Sequence, residues 1–165
     1  MSTAEIVVSQ KHIVTALVQN ESGTINRVVS LFRRRGFSLA SFNAGDCEEP
    51  GLSRMTFIVE GDLSVVEQVL KQLIKLIDVV ECSALPAETS VSRELALIRV
   101  QPTPAQRDSL YKLVLEFYGR TPGAQSDQIV VEYTGSVPEV EDVINALQPF
   151  NIVEIVRTGV VAMSL

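Results

Sequence analysis

Few of the 165 residues have the type and spacing for chemistry, and the most suggestive group contains no nucleophile. In the run Val14-Thr15-Ala16-Leu17-Val18-Gln19-Asn20-Glu21-Ser22-Gly23-Thr24, an apolar stretch with strand character gives way to polar and small residues. Ile25, Val28, Val29 and Phe32 then follow at helical spacing. The break reads as a strand-to-helix turn, with Gly23 where the backbone can come close to another group. Unpaired N–H groups at the start of such a helix, with the positive end of its dipole, suit a carboxylate or a phosphate. The same residues also make an ordinary capped helix start.

Other reactive side chains do not converge. The single histidine, His12, precedes an apolar strand and has no acidic partner that spacing places beside it. Tyr111, Tyr118 and Tyr133 are scattered, and neither Cys47 nor Cys82 has a matching base, a CxxC partner or metal-like spacing. Asp46, Glu48 and Glu49 stand in a turn beside Pro50, which suits a solvated loop better than a magnesium site. Neither GxGxxG nor GxxxxGK[ST] occurs. The chain is therefore expected to be non-catalytic and to bind no cofactor or metal of its own.

Composition narrows the setting. A net charge of -6 and a pI near 4.8 do not suit nucleic acid, and the one basic run, Arg33-Arg34-Arg35, fits a helix end whose dipole it favours. Apolar residues at 46% against 21% charged describe a folded chain. No apolar window reaches the ~18 residues of a membrane span, and the start Met1-Ser2-Thr3-Ala4-Glu5 has no basic region before an apolar stretch. A soluble, cytoplasmic protein with reduced cysteines is expected. A mean hydropathy of +0.23 in such a chain assigns some surface to subunit contacts.

The elements that position the turn follow in a repeated order. A strand over His12–Gln19 leads to a helix over Thr24–Arg35, stopped by Gly36. Strands are expected over Phe37–Ala44 and Ser53–Glu60, separated by the Pro50-Gly51 turn. A helix over Val65–Ile77 has a capping box from Ser64 and Glu67, with Leu63, Val66, Val69, Leu70, Leu73 and Ile77 on its inner face. A strand over Asp78–Leu85 completes βαββαβ, and Pro86 closes the unit. The second half repeats this: a strand over Arg93–Gln101, a helix opened by Thr103-Pro104-Ala105-Gln106, a strand over Ile129–Tyr133, a helix opened by Ser136-Val137-Pro138-Glu139, and a last strand over Phe150–Val156. Residues 118–128 hold Pro122 and Gly123 where the repeat needs a strand, so an edge strand there must be short, bulged or absent. The apolar tail 158–165 is expected to pack on a domain surface. The fold class is α+β, with two ferredoxin-like domains over residues 1–86 and 87–165.

Several segments resemble the small regulatory subunit of acetohydroxyacid synthase, also called acetolactate synthase. They are Asn20-Glu21-Ser22-Gly23, Leu31-Phe32-Arg33-Arg34-Arg35-Gly36-Phe37, Gly51-Leu52-Ser53-Arg54-Met55, Glu67-Gln68-Val69-Leu70-Lys71-Gln72-Leu73, Lys75-Leu76-Ile77-Asp78-Val79, Arg93-Glu94-Leu95 and Arg157-Thr158-Gly159-Val160-Val161-Ala162. They span almost the whole chain in the family's order.

The resemblance implies an N-terminal ACT domain that forms a homodimer and a partnership with a separate catalytic large subunit. That enzyme uses thiamine diphosphate and magnesium, with FAD as an optional companion, to condense two pyruvates or pyruvate with 2-oxobutyrate. It implies activation of the large subunit and feedback inhibition by valine or a related branched-chain amino acid, with effector positions matching Asn20, Gly23, Ser38 and Leu39. Position 38 is usually Asn in the family, whereas Ser38 is shorter and offers one hydroxyl. Around Tyr118-Gly119-Arg120-Thr121-Pro122-Gly123 the family has an apolar strand, and this chain reads as a turn. A free-standing ACT-type amino-acid sensor, without a catalytic partner, is the alternative.

Dimerisation is directly testable. Sedimentation of the isolated chain at micromolar concentration should show a species larger than 18.0 kDa, and a monomer throughout would remove the expectation.

Overall fold

The computed structural model describes residues 10–165. Residues 1–10, which read in the sequence as a short polar-apolar lead, fall outside the described residues apart from the last. The first unit runs to Val91 and includes Ala162–Leu165; the second covers Ser92–Val161.

In the first unit, the apolar run Val14 to Val18 lies in strand β1 (Lys11–Gln19). Helix α1 (Thr24–Arg35), strands β2 (Ser38–Asp46) and β3 (Leu52–Glu60), helix α2 (Leu63–Leu73) and strand β4 (Val79–Leu85) follow. The strands form an antiparallel sheet in the order β2-β3-β1-β4, the βαββαβ arrangement read from the sequence. Alternate residues Val14, Ala16 and Val18 of β1 and Met55, Phe57 and Val59 of β3 meet Val28 and Phe32 of α1 and Val66 and Val69 of α2 in one core. Phe57 stacks on Phe32 at 5.2 Å and lies 5.5 Å from Phe42, so three elements share one aromatic cluster.

Helix α1 ends in a Schellman motif. Gly36 (φ 68°) donates its N–H to Arg33 O at 3.2 Å, and Phe37 donates to Phe32 O at 3.1 Å. The rings of Phe32 and Phe37, 6.0 Å apart, supply the accompanying apolar contact.

Helix α2 corrects the sequence reading at both ends. It starts at Leu63, so Ser64 lies inside it, and Asp62 is the N-cap, accepting the Val65 N–H at 3.0 Å and the Ser64 hydroxyl at 2.6 Å. It stops at Leu73, where the chain tightens into turns with Leu76 N–H on Leu73 O and Val79 N–H on Leu76 O. Ile77 is consequently 92% exposed and Leu63 is also exposed, so neither belongs to the inner face.

The second unit repeats the order with strand β5 (Ser90–Val100), helix α3 (Arg107–Glu116), strands β6 (Arg120–Gln125) and β7 (Gln128–Gly135), helix α4 (Val137–Leu147) and strand β8 (Ile152–Arg157). Its sheet order is β6-β7-β5-β8. Both sequence-read boxes form: Gln106 Oε1 accepts the Thr103 N–H at 3.0 Å, opening a 3-10 turn (Pro104–Gln106) that leads into α3, and Glu139 Oε2 accepts the Ser136 N–H at 2.7 Å at the start of α4. Phe150 is not in the last strand; it is buried in a single 3-10 turn before β8.

The segment where an edge strand must be short, bulged or absent, and whose centre reads as a turn, is the short exposed strand β6, whose register against β7 shifts between Arg120 and Gly123. Tyr118, at φ 57°, closes α3 in the left-handed role usually given to glycine, donating to Leu115 O while Gly119 donates to Val114 O.

Glu94 is buried, and Arg157 meets it bidentately, Nε to Oε1 at 2.7 Å and Nη2 to Oε2 at 2.8 Å. Arg157 Nη1 also reaches Glu141 of α4 at 2.6 Å, so this guanidinium ties β8 to both β5 and α4. Arg157→Leu would leave the Glu94 carboxylate buried without a partner. A loss of roughly 3 kcal/mol in urea denaturation is expected, and a change under ~0.5 kcal/mol would show that water replaces the arginine.

Candidate functional site

The turn after β1 is fixed by backbone bonds on both sides. Gln19 donates to Asp78 O at 2.8 Å, Asn20 to Gly51 O at 2.8 Å and Thr24 to Glu21 O at 3.2 Å. Gly23 adopts φ 90° and ψ -6°, a left-handed conformation that favours glycine, and its carbonyl accepts the Arg27 N–H at 2.9 Å. Among the described residues, no carbonyl accepts the N–H groups of Ser22, Gly23, Ile25 or Asn26. Glu21, Ser22, Gly23, Ile25, Asn26 and Val29 line a hollow of about 590 Å³ at this turn. Ile25 and Val29 keep apolar side chains exposed along it. A shell of amides at a helix start beside an aliphatic wall can hold a small carboxylate with an apolar side chain.

A second opening of about 230 Å³ adjoins the turn, with Asn20, Thr24, Asp46 and Ser53 among its lining residues. Asn20 Nδ2 donates to Asp46 Oδ1 at 3.4 Å. Asp46 is the last residue of β2, and Glu48 pairs with Arg54 at 3.0 Å. Among the described residues, no three His, Cys, Asp or Glu side chains are grouped to hold a metal ion. His12 Nε2 lies 3.1 Å from Gly61 O, a structural use of the ring.

Asn20 and Gly23 come together; Ser38 and Leu39 come together elsewhere. Ser38 opens β2 opposite Glu60, and its hydroxyl donates to Glu60 Oε2 at 2.8 Å. Leu39 is half-buried against the first core. Because Asp46 at the far end of β2 faces Ser53, and β1 runs from Lys11 opposite Glu60 to Gln19 opposite Leu52, the two pairs occupy opposite ends of the sheet. A nine-residue strand separates them, roughly 27 Å. One chain does not unite the four residues.

Sequence reasoning missed Arg27 and Asp78. Arg27 Nη2 donates to Asp78 Oδ1 at 2.8 Å and Nε to Oδ2, and the carboxylate side chain is 5% exposed. The residues are 51 positions apart, so no local pattern links them; only the sheet order brings them together.

Residues 14–81 match the acetohydroxyacid synthase (AHAS) small subunit-like ACT domain, and residues 93–165 match the model described as the small subunit of acetolactate synthase. A probable acetolactate synthase small subunit from Archaeoglobus fulgidus is 44% identical over 153 residues, covering 93% of this chain and 96% of that one. The chain belongs to the acetolactate synthase small-subunit family. An acetolactate synthase small subunit from Bacillus subtilis is 39% identical, with 93% and 90% of the two chains covered. The crystal structure of the small subunit from Thermotoga maritima superposes with a TM-score of 0.89 at 38% identity, covering 94% of this chain and 98% of that one. As a member of this small-subunit family, the chain is a non-catalytic regulatory subunit, and its first unit is an ACT domain of ferredoxin-like topology.

The Arg27 hydrogen bonds hold the Asp78 carboxyl below the usual carboxylate range, with burial opposing them. A carboxyl whose folded pKa is depressed stabilises the fold above its unfolded value, near ~3.9, and loses that contribution as pH falls through the folded value. Asp78→Asn should therefore melt below the wild type near neutral pH, with the gap closing in acid. Melting curves across that range check this; an equal gap at both ends would assign the loss to packing instead of charge.

Proposed function

We propose that this small subunit binds a branched-chain amino acid, with valine the first candidate, between two copies of its ACT domain, and thereby sets the activity of its thiamine-diphosphate- and magnesium-dependent large subunit. The observation that carries this reading is the row of unpaired amides at the start of α1 beside Ile25 and Val29. The effector carboxylate fits the amides, where the helix dipole adds attraction, and a branched side chain fits the aliphatic wall.

The separation of Asn20 and Gly23 from Ser38 and Leu39 favours a shared site. A second copy whose β2 edge runs antiparallel to the first, about a twofold axis, carries its Ser38 end toward the Asn20 and Gly23 end. Ser38 supplies a hydroxyl there as an acceptor for the effector ammonium. Regulation then needs the ligand to prefer one arrangement of the dimer, since equal affinity for two states shifts neither.

In assays, the chain alone should form no acetolactate from pyruvate with thiamine diphosphate and magnesium, while raising the rate of its cognate large subunit. Gly23→Asp places a like charge beside the incoming carboxylate, on a backbone with φ 90°, and its β-carbon would stand 3.1 Å from Arg27 Nη1. Valine affinity should fall at least about tenfold, ~1.4 kcal/mol. Ser38→Asn should leave affinity unchanged or raise it. Calorimetry with valine, leucine and isoleucine decides, and a Gly23→Asp dimer that binds all three like the wild type would move the site elsewhere.

A further inference from the structure

Asp78 holds both sides of the effector turn. Its backbone carbonyl accepts the N–H of Gln19, the last residue of β1, at 2.8 Å. Its side chain, withdrawn from water just before β4, receives two hydrogen bonds from Arg27 in the first turn of α1. The strand that enters the turn and the helix that leaves it are thus anchored to one residue. Arg27 also closes the turn from within, since its own N–H donates to Gly23 O.

The geometry restricts more than distance. Two parallel bonds between a planar guanidinium and a carboxylate fix the rotation of both groups, which a single contact to an ammonium cannot do. The third guanidinium nitrogen, Nη1, lies 3.1 Å from the place a Gly23 β-carbon would occupy, so the arginine head packs directly behind the turn. A first helical turn is otherwise prone to fray, and here the amides of Ile25 and Asn26 have no carbonyl partner to hold them. Ligand binding at such amides depends on their being aimed before the ligand arrives, because any ordering left to the binding step subtracts from affinity.

We infer that Arg27 and Asp78 are positioning residues of the effector site: their ion pair pre-orders the amides at the start of α1 without touching the ligand. This rests on the reading above that the effector carboxylate binds at the Gly23 turn. The pair acts as one unit, so breaking it from either side has the same consequence for the ligand, and breaking it from both sides adds little.

The experiment compares the full-length wild type with Asp78→Asn, Arg27→Lys, their double variant and Gly23→Asp. Each is titrated with L-valine by calorimetry well below its own melting temperature, and hydrogen exchange is followed in a peptide spanning residues 20–27. Asp78→Asn and Arg27→Lys should each melt cooperatively, bind L-valine about tenfold more weakly, and exchange amide hydrogens faster in that peptide. The double variant should be no more than about twofold weaker than the worse single. Should Asp78→Asn fail to fold, Arg27→Lys, which keeps the charge, decides on the same two readouts. A folded variant with a lowered melting temperature but wild-type L-valine affinity makes the pair a structural tie and overturns the inference, while an impaired Gly23→Asp shows that the site itself stands. Wild-type binding by Gly23→Asp overturns the site and this inference together.

Discussion

Two antiparallel ladders, β1 on β3 and β3 on β2, decide where everything else in the first unit can lie. Their pairing sets Gln19 against Leu52 and Asp46 against Ser53 at one end, and Lys11 and Ser38 against Glu60 at the other. Once those pairs are made, the turn into α1 must open beside the end of β2, and the beginning of β2 must lie a full strand away. Slipping any one strand by a residue would turn its core face outward, taking Phe57 or Met55 from the interior. The register is therefore specified by hydrophobic burial, and the separation of Asn20 and Gly23 from Ser38 and Leu39 at two ends of the sheet follows from it.

The two units reach the same topology with different means. In the first, Phe32, Phe42 and Phe57 form an aromatic cluster across α1, β2 and β3. In the second, the core is mainly aliphatic, with Ile98, Leu110, Ile129, Val140 and Leu147 closely packed. Each unit nevertheless withdraws one carboxylate from water and answers it with a bidentate arginine, Asp78 with Arg27 and Glu94 with Arg157. A neutral residue would make fewer demands on its surroundings; a buried charge tolerates only the arrangement that brings its partner.

Most of this organisation was legible where local chemistry and long-range packing agree. The span of α1 could be read because apolar spacing and the glycine stop gave the same limits, and the Thr103 and Ser136 starts because their boxes are complete within four residues. The start of α2 was misplaced because Asp62 outcompetes Ser64 for the cap, and its end because Ile77 continues the helical spacing into a turn. Strand β6 was obscured by Pro122 and Gly123, whose cost is tolerated at an edge where β7 supplies the pairing on one side only. The turn at Asn20 and Gly23 could be read from its own neighbourhood. Arg27 and Asp78 could not, because a contact across 51 residues has no local signature.

The edge strand β6 also limits how the second sheet can grow. Pro122 offers no N–H, and the pairing with β7 is irregular beside it. Endless strand-by-strand addition requires two receptive edges, one to accept a neighbour and one to be accepted. With this edge blunted, the opposite margin of the second sheet is the more receptive one. An open-ended fibre built on that sheet would have to form across one proline and one irregular step, which works against it.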